Sequence, residues 1–156
     1  VRIRSDVERK RLAGMTPEQR SEPQQRESLY SAAMSRQTFS RLELLAAQVI
    51  SAGFPVIVDA TFLHRNTRDT FRALASSLRV PFVIVDCIAQ PEQMRQRLVE
   101  RARHAKDASE ADVAVMEQQL GSAQALTQQE QACRLAVDSA EDSAILWRRF
   151  QQHCFG

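Results

Sequence analysis

Glycine is scarce. Gly14, Gly53, Gly121 and Gly156 are the only four in 156 residues. They lie too far apart to build GxxxxGK[ST], the loop whose backbone N–H groups cradle nucleotide phosphates. Lysine is scarcer: Lys10 and Lys106 stand alone, so the net charge of +2 rests on arginine. A charge that small argues against a strongly cationic nucleic-acid binder. Cys87, Cys133 and Cys154 are odd in number and form no CxxC pair. They share no zinc-ligand spacing with His64, His104 or His153, which argues against a structural metal site and suits a reducing, cytoplasmic compartment. No apolar run is long enough to span a membrane, and no signal peptide is recognisable.

Hydrophobic residues make up 44% and charged residues 26%, the balance of a globular chain of one domain, 1–156. The arginine preference has two sources to weigh. A guanidinium fork holds phosphate oxygens in two places at once. A genome rich in G and C also encodes arginine over lysine without any selection for chemistry.

Apolar patterning alternates between two periods. Val1 and Ile3 alternate with Arg2 and Arg4 in a short strand, and Ser5 or Asp6 can cap a helix over 7–13 that Gly14 stops. Residues 16–27 hold Pro17 and Pro23 and no apolar period, which predicts a mobile excursion. The spacing predicts a helix over 28–52, ended by Gly53, with Leu42, Leu45, Val49 and Ile50 on its inner face. Val56 to Asp59 is an apolar strand ending in an acid. Asn66 is the expected cap of a helix through Leu78. A second apolar strand spans 82–87, and Pro91 opens an arginine-rich helix to about residue 103. Ser109 and Asp112 resemble a capping box for a helix to Leu120. A turn at 127–132, a strand at 135–137 and a helix over 140–153 complete the chain. Strands apolar on both faces suit a parallel sheet covered by helices, with ligands at the C-terminal strand ends. Asp6, Asp59, Thr61 and Gln90 all fall just beyond such ends.

Three groups could carry chemistry. Asp6 can accept the proton of an attacking hydroxyl, and Arg9, one helical turn on, can hold an anionic acceptor. A cap with an i, i+3 ion pair accounts for the same spacing. Asp59 can hold Mg²⁺ through water, helped by the Thr61 hydroxyl, or can simply cap the next turn. Arg95, Arg97, Arg101 and Arg103 line one helix, with 97 and 101 on a shared face. Over a nucleotide they would neutralise a transferring phosphoryl group; otherwise they form a solvated face paired with Glu92 and Glu100. Tyr30 can contact substrate or pack at a helix start. His64 reads as a solvated loop residue, Cys87 as an inert small hydrophobe, and Met94, Met116 and Trp147 as core or its edge.

Together, Ile3-Arg4-Ser5-Asp6-Val7-Glu8-Arg9-Lys10-Arg11-Leu12, Gly53-Phe54-Pro55-Val56-Ile57-Val58-Asp59-Ala60-Thr61-Phe62 and the arginine-rich segment into Asp107-Ala108-Ser109-Glu110-Ala111-Asp112 resemble a bacterial P-loop kinase-like ATPase domain. That domain often forms the C-terminal half of bifunctional aminoglycoside phosphotransferase/ATP-binding proteins. It is similar, more distantly, to polynucleotide kinase, zeta toxin, gluconate kinase and adenylylsulfate kinase. The resemblance implies a three-layer α/β fold of nucleoside-kinase type, with helices on both faces of a parallel sheet. It implies ATP and Mg²⁺ as cofactors and a hydroxyl acceptor, a small molecule, as partner. Asp6 would be the base, with Arg9, Arg4 and Tyr30 on the acceptor. Asp59, Thr61 and Arg103 would serve the cofactor, with Asp59 as the water-mediated metal ligand. Arg97 and Arg101 would stabilise the phosphoryl group from a lid within 91–120.

The departure from the family pattern is the missing GxxxxGK[ST], expected roughly 20–25 residues before the Asp6 segment in a βαβ layout. The resemblance also makes the strand carrying that loop central, between those at 56–59 and 82–87. Leaving such a ladder unfilled costs about 1–3 kcal/mol for each unsatisfied buried group. Several of these would exceed a net stability of roughly 5–15 kcal/mol. The expectation is therefore that an upstream segment, a partner chain or a rearranged sheet completes the domain, and that these residues alone are inactive. Two other functions fit the same residues: a non-catalytic nucleotide- or partner-binding module, and a polynucleotide-end kinase.

Overall fold

The structure is a computed structural model. It describes residues 1–104, 108–109, 112–138 and 141–155, without the side chains at 23–24, 101–104, 143 and 153–155. In chain order the elements are β1 (Arg2–Arg4), α1 (Ser5–Leu12), α2 (Pro23–Leu29), α3 (Ala32–Ser51), β2 (Ile57–Asp59) and α4 (Arg65–Leu78). There follow β3 (Ile84–Ile88), α5 (Pro91–His104), α6 (Val113–Ser122), α7 (Gln128–Gln131), β4 (Arg134–Asp138) and α8 (Ser143–Phe155).

The four strands fall into two parallel pairs, β1–β2 and β3–β4, and no ladder joins β2 to β3. In the first pair Ile3 lies opposite Val58, and Arg4 opposite Asp59. Side chains alternate between faces along a strand. Ile3 and Val58 therefore share the face that packs on Leu42, Ala46 and Phe71 of α3 and α4. Arg2, Arg4, Ile57 and Asp59 share the other. That second face is only partly covered: Ile57 is 62% exposed, while Arg4 and Asp59 are half-buried. In the second pair Ile84 lies opposite Arg134 and Cys87 opposite Val137. There Leu135 is buried, while Val85 and Cys87 are exposed. The strands thus lie parallel as their apolar runs require, but the expected cover on both faces is seen on one.

Local chemistry corrects several boundaries. The excursion at 16–27 carries a helix and two tethers to α1. Pro23 opens α2, and Lys10 Nζ donates to the carbonyls of Pro17 at 3.1 Å and Gln19 at 2.6 Å. The long helix begins only at Ala32, because the Ser31 hydroxyl caps it by accepting from the Met34 N–H. His64, not Asn66, holds the N-cap position of α4. Asp112, not Ser109, caps α6 by accepting from the Val115 N–H at 2.9 Å. Gly14 and Gly53 sit just past α1 and α3 with φ of 71° and 83°, a conformation that costs a residue with a Cβ. Cys87 is exposed rather than a buried hydrophobe. Trp147 stands 58% exposed and stacked on Phe150, whereas Met116 is in the core as expected.

Candidate active site at the strand ends

β1 turns directly into α1, so Asp6 sits in the first helical turn immediately beyond the strand. The register places Arg4 beside Asp59, so the end of β1 and the end of β2 form one rim. Arg9 follows one turn along α1 and points inward. Its Nη1 donates to the Leu29 carbonyl at 2.9 Å and the Ser35 hydroxyl at 3.2 Å. Its guanidinium carbon lies 5.1 Å from the Tyr30 ring centroid, a cation–π distance. Burial pushes the Arg9 pKa down, while Tyr30 and Asp6 act in the opposite sense. Arg9 Nε is buried and has no hydrogen-bond partner among the described residues. The structure therefore brings Asp6, Arg9 and Tyr30 into one neighbourhood. The start of α3, which the sequence pattern ran together with α2, supplies its far wall.

Asp59 is held differently from the expectation. Both Arg2 Nε, at 3.1 Å, and Arg2 Nη2 donate to its Oδ2. Arg4 Nε lies 3.6 Å from the same oxygen. Two guanidiniums beside one carboxylate oppose a divalent cation electrostatically. No cluster of three or more metal-ligating side chains is present among the described residues. A single carboxylate with the exposed Thr61 hydroxyl nearby still suits Mg²⁺, which keeps most of its waters and takes other ligands from phosphate. Asp59 also acts across the break between the strand pairs. Partial desolvation of the Cys87 sulfur raises its pKa although the residue is exposed, and the charges of Asp86 and Asp59 raise it further.

The described part of the arginine-rich segment is tied to α6. Arg95 on α5 pairs with Glu92 at 3.2 Å and with Glu117 of α6 at 3.3 Å, tying the two helices together. Arg97 is exposed on α5. The side chains of Arg101 and Arg103, with Lys106 and Asp107, lie outside the described residues. Arg26 of α2 lies 3.9 Å from Asp112, so the excursion reaches the start of α6.

The sequence pattern misses a buried pair beneath the rim. Arg68 and Glu130, 5% and 1% exposed, are bonded through Arg68 Nε to Glu130 Oε1 at 2.6 Å and Arg68 Nη2 to Glu130 Oε2 at 3.3 Å. The signal was present. Arg68 occupies the stripe that continues as Phe71 and Ala75, a charge on an otherwise inward face. Thr127 and Glu130 form a capping box, which fixes Glu130 locally.

A sequence model described as an AAA domain matches residues 1–126. No curated protein matches the chain, and neither does any solved structure.

Proposed function

This chain belongs to the AAA domain family and carries a P-loop NTPase-like α/β fold, and we propose that it is the catalytic part of an ATP-dependent phosphotransferase acting on a hydroxyl acceptor. The observation that carries the proposal is the Arg9 neighbourhood: a half-buried guanidinium whose buried Nε has no hydrogen-bond partner among the described residues, beside a carboxylate at the end of a parallel strand. Asp6 takes the proton of the acceptor hydroxyl. Arg9 holds an anionic or strongly polar group of the acceptor, Tyr30 gives that group a flat wall, and Arg4 adds positive charge at the rim. Asp59 and Thr61 are the groups that would hold Mg²⁺, whose chemistry is to offset charge on the nucleotide phosphates. For Asp59 to serve, Arg2 has to release it. Arg97, Arg101 and Arg103 complete the charge balance from the lid.

The phosphate cradle itself does not fit these residues, since no glycine-rich loop or matching lysine is among them. We propose that it lies on a further strand inserted between β2 and β3. The open edges and the exposed Ile57 and Val85 support that placement. A buried parallel strand would join the two pairs, and its following helix would cover those side chains. By this proposal the 156 residues alone do not turn over ATP.

The test is phosphoryl transfer by the natural protein with a panel of hydroxyl acceptors, alongside Asp6→Asn. Loss of the general base is expected to cut kcat about 10²–10⁴-fold with ATP binding retained. An unchanged kcat removes Asp6 from the chemistry. ATP binding with no turnover on any acceptor points instead to a non-catalytic nucleotide module, a reading favoured by the Arg2–Asp59 pair.

A further inference from the structure

The loop that follows β2 is held from below by one side chain. Arg68 has five N–H donors, and all five are used. Nη1 donates to the carbonyls of Phe62 at 3.0 Å and Leu63 at 3.3 Å. Nη2 donates to the Ala125 carbonyl at 3.2 Å and to Glu130, and Nε donates to Glu130. Glu130 in turn accepts from the Thr127 N–H at 2.8 Å. A second interlock lies alongside. The Gln124 N–H donates to the Leu63 carbonyl at 2.9 Å, and its side-chain oxygen accepts from the Arg65 N–H at 2.7 Å.

The backbone that these bonds hold is under strain. Phe62 has φ of 44°, a left-handed conformation that is unfavourable for a residue with a side chain. Its ring is committed to the core, 5.6 Å from Phe39 and 5.1 Å edge-on to Phe71. The ring and the carbonyl of Phe62 are thus fixed from opposite sides, and Thr61 is its immediate neighbour. The same guanidinium reaches the segment leading into β4. It therefore couples the rim of the first strand pair to the body of the second, which no strand ladder does.

We propose that Arg68, locked by Glu130, is a positioning residue that sets the backbone of Asp59–Thr61 by holding Phe62 in its left-handed conformation, and that it registers the two strand pairs against each other. The positioning claim stands on geometry; its consequence for phosphoryl transfer rests on the function proposed above. Glu130 is suited to the lock because its bond to Arg68 lowers its pKa to about 2, so it stays charged at any physiological pH.

Arg68→Lys separates positioning from simple stabilisation. Lysine keeps the charge opposite Glu130 but cannot reach both carbonyls of the loop. Amide exchange is read on the protein carrying these residues, at Arg65 and Gln124 against Leu42 and Ala46 in α3. The expected result is at least tenfold faster exchange at Arg65 and Gln124, with α3 unchanged. Glu130→Gln is the second variant and gives the same pattern should the lysine variant fail to fold. Arg72→Gln, which removes an exposed 3.3 Å bond between the same two helices, leaves all four amides unchanged. Uniform acceleration in both buried variants reduces the pair to a stability element and overturns the proposal, as does no acceleration in either. In the phosphotransfer assay, Arg68→Lys is expected to lower kcat at least tenfold while the acceptor KM stays within twofold. Should the wild type show no transfer at all, the proposed function falls while the exchange data still decide the positioning claim.

Discussion

The two strand pairs of this molecule are built to different standards. Around β1–β2, Leu42 and Ala46 are at most 1% exposed, and Phe71, Ile3, Phe39, Val58, Phe62 and Leu74 close around them. Around β3–β4, Leu135 is the buried strand residue, while Val85, Ile88, Val99, Leu120 and Trp147 are between 42% and 58% exposed. Both pairs are parallel, and parallel strands are ordinarily covered by helices on both faces. The first pair has α3 and α4 on one face, whereas among the described residues α8 is the helix that packs on β4 of the second. The lesson is that parallel pairing comes from local register but stability comes from cover.

The largest expected effect tests this contrast directly. Leu42→Ala removes a fully buried side chain from the dense half and is expected to cost about 2–5 kcal/mol by urea denaturation. Leu120→Ala, at a site 47% exposed, is expected to cost under about 1 kcal/mol. Equal losses would mean that the two halves are packed alike and would break the comparison.

How legible was this in the sequence? The strands and most helices were, because Val1 and Ile3 alternate with arginine, 56–58 is a continuous apolar run, and Leu42, Leu45, Val49 and Ile50 recur at helical spacing. Asp6, Asp59 and Thr61 were legible as strand-end residues for the same reason. Three things were not. The excursion at 16–27 looked patternless because its tethers come from Lys10, a side chain seven and nine residues from the carbonyls it binds. No period encodes a tether of that kind. Asp59 looked like a metal ligand because a strand sequence does not reveal which residues lie across the ladder. Arg2 and Arg4 are its neighbours only once β1 pairs with β2. Arg68 and Glu130 are 62 residues apart, and only the folded chain shows that each buried charge answers the other.

The second effect concerns that joint between the halves. An unfolded glutamate titrates near about 4.3. In the folded chain the bond to Arg68 lowers Glu130 to about 2, against the opposing effect of burial. The unfolded state therefore binds the proton first as pH falls. Stability from this pair is complete above about pH 5 and is lost progressively toward pH 2, on the order of 1–3 kcal/mol in total. Urea midpoints measured across that window check the slope, and Glu130→Gln is expected to flatten its share. A midpoint that does not move between pH 5 and pH 3 would mean that the halves are not joined through this pair.

The smallest effect is the most discriminating. Val85→Thr changes an exposed strand residue for one with similar strand preference, so on these 156 residues the expected change is within about 0.5 kcal/mol. The comparison with the natural protein is what gives the variant its use. If a further strand and helix lie between β2 and β3, Val85 becomes buried there, and the hydroxyl enters an apolar layer. Burying an unpaired hydroxyl costs about 1–3 kcal/mol. A cost that rises from near zero in the short chain to that range in the natural protein would show that the weaker half is a partner surface for a missing layer. A cost that stays near zero in both would mean that the open face of β3 is solvated by design, and the strand insertion would have to be abandoned.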